Sequence, residues 1–316
     1  MSGIVIENPG MLALLTDQGR MGQAHLGLTT GGPMDPFAFT LANALVGNPT
    51  NATVIETTLG NLSVRANKDI LIAVTGAPTP LQIAGQPCAL WQRHSVKKGQ
   101  VIEIGAPTEG LRNYLAIGGG LTVDAEFGST STVLREGIGG LRGQKLQQGD
   151  TLAVGQSATP HRDCALPQSA IPTYHADAPL RLVTGYQYEQ FSVTSRSRFF
   201  NSQYRISDQA DRMGYRLTGP AIPAASRALL SEGIALGAVQ VPADGQPIIL
   251  LNDRQTIGGY PKLGSVLAMD CARLSQWRPG TTLSFEPISI EQAHNLLHLH
   301  HAKLTRLLQQ LEQHHE

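Results

Sequence analysis

The sequence predicts a mainly β protein: two related barrels in tandem, a few short helices and a long helix at the end. Three observations carry that expectation. Glycine and proline are abundant, 34 and 19 residues, and punctuate short β-branched runs. The chain has 316 residues, large for one core and comfortable for two domains. A turn-Gly-strand form occurs twice, at Val96–Ile104 and at Arg278–Glu286, which suggests a repeated unit. The expected domains are residues 1–155 and 180–288, joined by a linker at 156–179 and followed by a helix over 289–316. The linker reading rests on Pro160, Pro167, Pro172 and Pro179, set among Ser, Ala and Asp without periodicity.

Taken in order, Ile4–Glu7 and Leu12–Leu15 read as strands around the turn Asn8-Pro9-Gly10, and Asp17–Arg20 as a tight polar turn. A helix should begin at Asp35, whose carboxylate can cap it, with Pro36 at its first position. Phe37, Leu41, Ala44 and Leu45 give its apolar face and Gly47 its end. Asn43 on this helix is expected to be a structural amide. Val54–Thr58 and Leu62–Arg65 read as a hairpin. Glu56 within it needs a buried partner, for which an ion pair with an arginine is the expected account. Ile70–Thr75, Leu81–Ile83, Ala89–Gln92, Val101–Ile104 and Asn113–Ile117 follow as strands. The glycine run 118–120 lacks the spacing of a phosphate loop and reads as a turn. No His and Asp accompany the hydroxyls of Ser129–Thr132, so no serine nucleophile is expected there. Leu152–Val154 is a further strand.

In the second half, Arg181–Thr184 reads as a strand, and Gln187–Phe200 as a helix with Phe191 and Phe199 inward. Met269–Trp277 reads as a short helix capped by Asp270. Ser289 and Gln292 form a capping box for the last helix. Its seam is Ile290, Ala293, Leu297, His300, Leu304, Leu307 and Leu311, at steps of three and four. His294 and His298 stand four apart without the Glu of a His-Glu-x-x-His pair, so a solvated face is expected rather than a metal site.

Charge excludes several functions. Lys+Arg and Asp+Glu number 24 each, with no basic stripe for nucleic acid and no cationic amphipathic segment for a membrane. The N-terminus carries no basic region followed by an apolar one, which points to a cytoplasmic protein. Cys88, Cys164 and Cys271 are isolated and odd in number, so reduced thiols are expected. Charged residues make up only 15%, which suggests that a partner covers part of the surface.

The richest chemistry lies in Arg205–Leu217, Val239–Pro247 and Leu250–Pro261, where polar side chains stand beside Gly and Pro. Arg212, Gln240, Asp244, Gln246, Asp253, Gln255 and Tyr260 could line one pocket. Ser207–Leu217, Val239–Pro247 and Asp253–Pro261 also resemble the allophanate hydrolase subunit 2 family. The helix Asp35–Asn48 and the stretches Ser129–Thr132 and Gly137–Gly143 match it too, whereas Gln18 stands where the family has Gly.

The resemblance covers residues 4–290. It implies two tandem cyclophilin-like β-barrel domains. It also implies a cytoplasmic, ATP-dependent hydrolase complex, a 5-oxoprolinase that opens 5-oxoproline to glutamate with a paralogous B subunit and an A subunit. ATP is the implied cofactor, with Mg²⁺ accompanying it, held partly or wholly on the partner. Relatives implied as alternatives are biotin-dependent carboxyltransferases acting on urea and a non-catalytic regulator of the histidine-kinase-inhibitor-antagonist type.

Opening a lactam calls for an anion clamp, donors to the developing oxyanion and a dry cavity. The expected catalytic residues are Arg212 as clamp, Tyr215 as donor, Asp253 (or Asp244 in its place) as base or Mg²⁺ holder, and Gln255. The expected substrate-binding residues are Gln240, Asp244, Gln246, Gly258, Gly259 and Tyr260. Arg205 or Arg216 could be the clamp instead, with Arg212 an internal ion-pair partner.

Overall fold

Residues 3–157, 163–223 and 230–313 are described by the computed structural model. They form two compact units: 1–21, 31–174 and 302–316 make the first, and 22–30 with 175–301 the second. Helices are α1 (Pro36–Leu45), α2 (Val193–Phe200), α3 (Ala268–Leu274) and α4 (Ile290–Glu312).

In the first unit the strands are β1 (Gly3–Pro9), β2 (Leu12–Thr16), β3 (Val54–Thr58), β4 (Leu62–Ala66), β5 (Ile70–Gly76) and β6 (Leu81–Ile83). They continue with β7 (Gln86–Cys88), β8 (Arg93–Val96), β9 (Val101–Ile104), β10 (Arg112–Ile117), β11 (Leu121–Thr122) and β12 (Thr151–Val154). One sheet has the order β11-β12-β1-β4-β9-β6-β7 and the other β2-β3-β10-β5-β8. The chain changes sheet at β1–β2 and again at β3–β4. These two turns touch: a Cβ on Gly10 would meet the Gly60 carbonyl oxygen at 2.2 Å, and both glycines have positive φ. Alternation along each strand sends Ile4, Ile6, Leu15, Ile55, Val64, Ile72, Ile102 and Leu115 into one core.

Helix α1 covers the outer face of β5 and β10. Asp35 caps it as expected, accepting the Ala38 N–H at 3.1 Å and the Tyr174 hydroxyl at 2.9 Å. Asn43 is structural, donating to the Ala52 carbonyl at 2.9 Å. Glu56 accepts the Met34 N–H at 2.9 Å and faces Arg112 at 3.9 Å, the expected ion pair.

The expected linker is a correction. Cys164, Leu166 and Ala170 pack into the cluster around α1, and Gln92 bridges Ala165, so this Pro-rich segment is part of the first unit up to Tyr174. Its prolines give it the look of a spacer, but short apolar residues between them bury one by one. Residues 158–162 lie outside the described residues. Leu307 and Leu311 of α4 pack on the same cluster.

The second unit holds β13 (Leu180–Thr184), β14 (Tyr204–Ala210), β15 (Gly214–Thr218), β16 (Glu232–Gly233) and β17 (Ala238–Gln240). It continues with β18 (Ile248–Leu250), β19 (Ile257–Gly258), β20 (Lys262–Val266), β21 (Thr282–Leu283) and β22 (Phe285–Ile288). Its main sheet runs β21-β14-β15-β18-β17-β20-β13-β22, with β16–β19 a separate ribbon. The edge strands β21 and β22 are joined through Ser284 alone, so the two edges of the sheet come together in a nearly closed barrel that hides its edges. Phe199 stacks on Phe285 at 4.4 Å, with Tyr204 alongside, under one end.

Two local expectations change here. Gln187–Phe200 is a 3₁₀ turn at Tyr188–Gln190 followed by α2, because Ser192 takes the Ser195 N–H at 3.1 Å and starts a new helix. Phe191 and Phe199 are buried as expected. Asp270 does not cap α3; it lies fully buried and takes a two-pronged bond from Arg181 at 2.8 and 2.6 Å. The capping box of α4 forms, with Ser289 N–H on Gln292 at 2.8 Å and Gln292 N–H on Ser289 at 3.2 Å. Ala293, Leu307 and Leu311 are buried, whereas Ile290 is 56% exposed.

Among the described residues no helix is long and apolar enough to cross a membrane. All three cysteines are free, and burial pushes the Cys164 thiol up and the Cys271 thiol to about 12.

The polar turn at Asp17 organises a buried hydroxyl ladder. Its carboxylate accepts Ser129 Oγ at 2.5 Å, Ser131 Oγ at 2.9 Å and the Thr130 N–H at 2.8 Å. Burial opposes its charge, but those bonds and one from Gly19 outweigh burial and hold the carboxyl below its usual value of 3.8. A lowered folded value stabilises the protein above 3.8, and that stabilisation disappears as pH falls through the folded value. We therefore expect Asp17→Asn to be less stable than wild type at pH 7. The two should converge below the ordinary carboxylate range in urea titrations run across pH; a gap that stays constant into acid would refute the assignment.

Candidate functional site

Side-chain alternation along β15, β17 and β18 divides the second unit's sheet into an inner and an outer face. Tyr215, Ile249 and Val239 stand in register and point into the barrel, where all three are buried. Their neighbours Gly214, Arg216, Ile248, Leu250 and Gln240 line a pocket of about 490 Å³ on the opposite side. Asp208, Asp211 and Met213 close it from the β14–β15 hairpin, and Ile234, Arg254, Gln255 and Tyr260 from the loops beyond.

The loop after β18 is held by a buried ion pair. Arg212 Nε meets Asp253 Oδ2 at 2.9 Å and Nη2 meets Oδ1 at 3.0 Å, with Arg212 7% and Asp253 6% exposed. The Asp253 N–H donates back to the Arg212 carbonyl at 2.8 Å, and the Leu251 N–H to Met213 at 2.9 Å. Arg254 is thereby fixed, donating from Nε to Ile234 at 3.1 Å and from Nη1 to Leu251 at 3.2 Å. Thr29 donates to the Arg254 carbonyl at 3.3 Å.

Gln240 is 5% exposed, and its Nε2 has no hydrogen-bond partner among the described residues. Gly258 makes room for it: a Cβ there would stand 2.9 Å from Gln240 Nε2 and 2.6 Å from Ile234 Cδ1. An unmet donor of this kind costs about 1–3 kcal/mol when buried, unless a ligand accepts from it.

Of the residues expected from sequence, Gln240, Gln255 and Tyr260 line the pocket, and Gly258 backs it. The other six residues expected at the site do not line it. Arg212 and Asp253 satisfy each other, so neither is an open clamp or base. Tyr215 lies on the inner face and donates to the Ser275 carbonyl at 3.2 Å. Asp244 accepts the Gln246 N–H at 3.0 Å within a turn. Gln246 bonds Gly219 through Oε1 at 2.9 Å and Nε2 at 3.1 Å, closing the loop at the far end of β15. Gly259 does not line the pocket. Among the arginines weighed as clamp, Arg216 lines the pocket and Arg205 does not. Sequence reasoning missed Arg254 and the acidic pair Asp208 and Asp211. The resemblance over Asp253–Pro261 leaves positions 254 and 257 open, so the pattern carried no signal for Arg254.

A nearly closed barrel bearing a polar pocket on its outer face defines the class, and comparison agrees: the chain belongs to the family "Carboxyltransferase domain, subdomain A and B", matched over residues 26–287. It is 38% identical to the C subunit of 5-oxoprolinase from Escherichia coli (strain K12) over 285 residues, 90% of this chain and 91% of that protein. Identity to urea amidolyase of Saccharomyces cerevisiae is 31% over 315 residues, 93% of this chain but 17% of that protein. The solved protein TTHA0988 superposes with a TM-score of 0.82 at 33% identity, this chain covering 56% of its length. Urea carboxylase of Kluyveromyces lactis superposes with a TM-score of 0.90 at 27% identity, over 96% of this chain and 29% of that one.

Removing one partner of a buried ion pair leaves the other charge uncompensated. Arg212→Ala should therefore lower unfolding free energy by about 3 kcal/mol. Arg212→Ala with Asp253→Ala together should lose less than the two single changes summed. Chemical denaturation of the four proteins checks this; a single variant as stable as wild type would remove the pair from its structural role.

Proposed function

We propose that this chain is the C subunit of an ATP-dependent 5-oxoprolinase, acting in the cytoplasm with a paralogous B subunit and an A subunit. The observation that carries this reading is the end-to-end match to the C subunit of the Escherichia coli 5-oxoprolinase, which covers nine-tenths of both chains. The pocket supports it. Its volume of about 490 Å³ suits a small ligand, and apolar Ile234, Ile248 and Leu250 can cover a ring's methylenes. Gln240 Nε2 donates to the lactam carbonyl oxygen, whose negative charge grows as the amide is attacked. Tyr260, half exposed, and Gln255 close the open side.

ATP, when bound in the complex, supplies the driving force for opening a stabilised amide. The residues here do not fit a nucleotide–Mg²⁺ site. The chain carries no phosphate-loop motif, and among the described residues no three His, Cys, Asp or Glu side chains gather to hold a metal. Our reading therefore places ATP on the partners and routes no step through it on this chain.

A second reading, carboxyl transfer to urea or a similar amide, is favoured by the family itself and by the TM-score of 0.90 to urea carboxylase. Reconstitution separates the two. This chain is mixed with the A and B subunits, and glutamate formation from 5-oxoproline and ATP is followed while each component is omitted in turn. Turnover that requires this chain is the expected result. In that complex Gln240→Leu should lower kcat/KM on the order of a hundredfold. A complex without glutamate formation that carboxylates urea from carboxybiotin would establish the second reading instead.

A further inference from the structure

The pocket holds a cation that the fold has immobilised. Arg254 is half-buried, and its bonds to Ile234 and Leu251 satisfy two of its five donors. Among the described residues it forms no ion pair. Burial pushes its pKa down from the ordinary arginine value, with the Cys271 sulfur opposing. The acids around it are engaged elsewhere or face solvent. Asp253 is committed to Arg212, Asp211 takes the N–H groups of Met213 and Gly214 at 2.8 and 3.2 Å, and Asp208 is exposed. Arg216, the other cation of the lining, is exposed, so water already solvates it.

Ile234 ties Arg254 to Gln240. Its carbonyl holds the guanidinium, and its Cδ1 lies with Gln240 Nε2 against Gly258. The pocket thus offers a fixed positive charge and a fixed amide donor, both positioned by one residue. A ligand that satisfies both needs an anion and a carbonyl oxygen on one small frame.

We infer that Arg254 is the specificity-determining residue of this pocket, reading a carboxylate on a ligand whose amide oxygen is read by Gln240. The ligand class is a small amide that carries a carboxylate; urea, which has none, falls outside it. This rests on the reading of the pocket as a small-amide site. A charge-assisted bond to a carboxylate is worth about a tenfold to hundredfold gain in affinity.

The test is ligand titration of the full chain followed by NMR. 5-Oxoproline should bind at least about tenfold more tightly than 2-pyrrolidinone, the same lactam without its carboxylate, and than urea. Arg254→Met should abolish that preference and leave pyrrolidinone affinity in place. Arg254→Lys should restore part of it, and Gln240→Leu should weaken both lactams alike. Equal affinity for the two lactams, no measurable binding of 5-oxoproline, or a preference that survives Arg254→Met overturns the inference. Should Arg254→Met not fold, Arg254→Lys decides, and an undiminished preference there overturns it. The outcomes also separate this inference from the proposed activity. A carboxylate preference without glutamate formation in the reconstituted complex removes the activity and keeps the site; glutamate formation without the preference does the reverse.

Discussion

A carboxylate as buried as Asp253 requires a cation at its side, and Arg212 is placed to meet both of its oxygens. The arrangement of the second unit's pocket depends on that pair. Arg212 leads into β15 and Asp253 follows β18, so the pair, with the backbone bonds beside it, ties a hairpin to a loop that would otherwise be free to move. Arg254 and Gln255, the next two residues, inherit a fixed position from it. The most prominent arginine and aspartate of the sequence clusters thus shape the site without lining it.

The second constraint is the alternation of a strand. Residues one apart face opposite sides, so each strand of the barrel serves the core and the pocket at once. On β15, Tyr215 packs inward while Gly214 and Arg216 face the pocket; on β17, Val239 packs inward while Gln240 faces out. Packing inside the barrel therefore sets the position of polar groups outside it. The short link through Ser284 between the two edge strands adds to this rigidity, because it holds the ends of the sheet together. Gly258 completes the device, since any side chain there would displace the Gln240 amide.

Much of this is legible in the chain, for local reasons. Asp35-Pro36 before an apolar face, and Ser289 with Gln292, are caps formed by residues three apart, and both form as read. Glu56 within an apolar strand demands a cation, and Arg112 stands beside it. The segment 156–179 misleads because prolines mark irregular backbone but do not say whether it is buried; Cys164 and Leu166 fill a cluster made by α1 and α4, distant in sequence. The excursion of residues 22–30 into the second unit leaves no mark in composition or periodicity.

Sequence alone accounts for the mainly β class, the caps of α1 and α4, the family resemblance and the three stretches that supply most of the pocket's polar lining. Those are properties of short spans, where propensity, spacing and turn chemistry act between near neighbours. Which polar residues of those stretches pair with one another, and which are left to a ligand, is settled by tertiary structure. Arg212 and Asp253 are 41 positions apart, and nothing local distinguishes them from Arg254 and Gln240. The difference is a matter of which face of a strand each occupies and how deeply each is buried, and both are fixed only when the barrel closes.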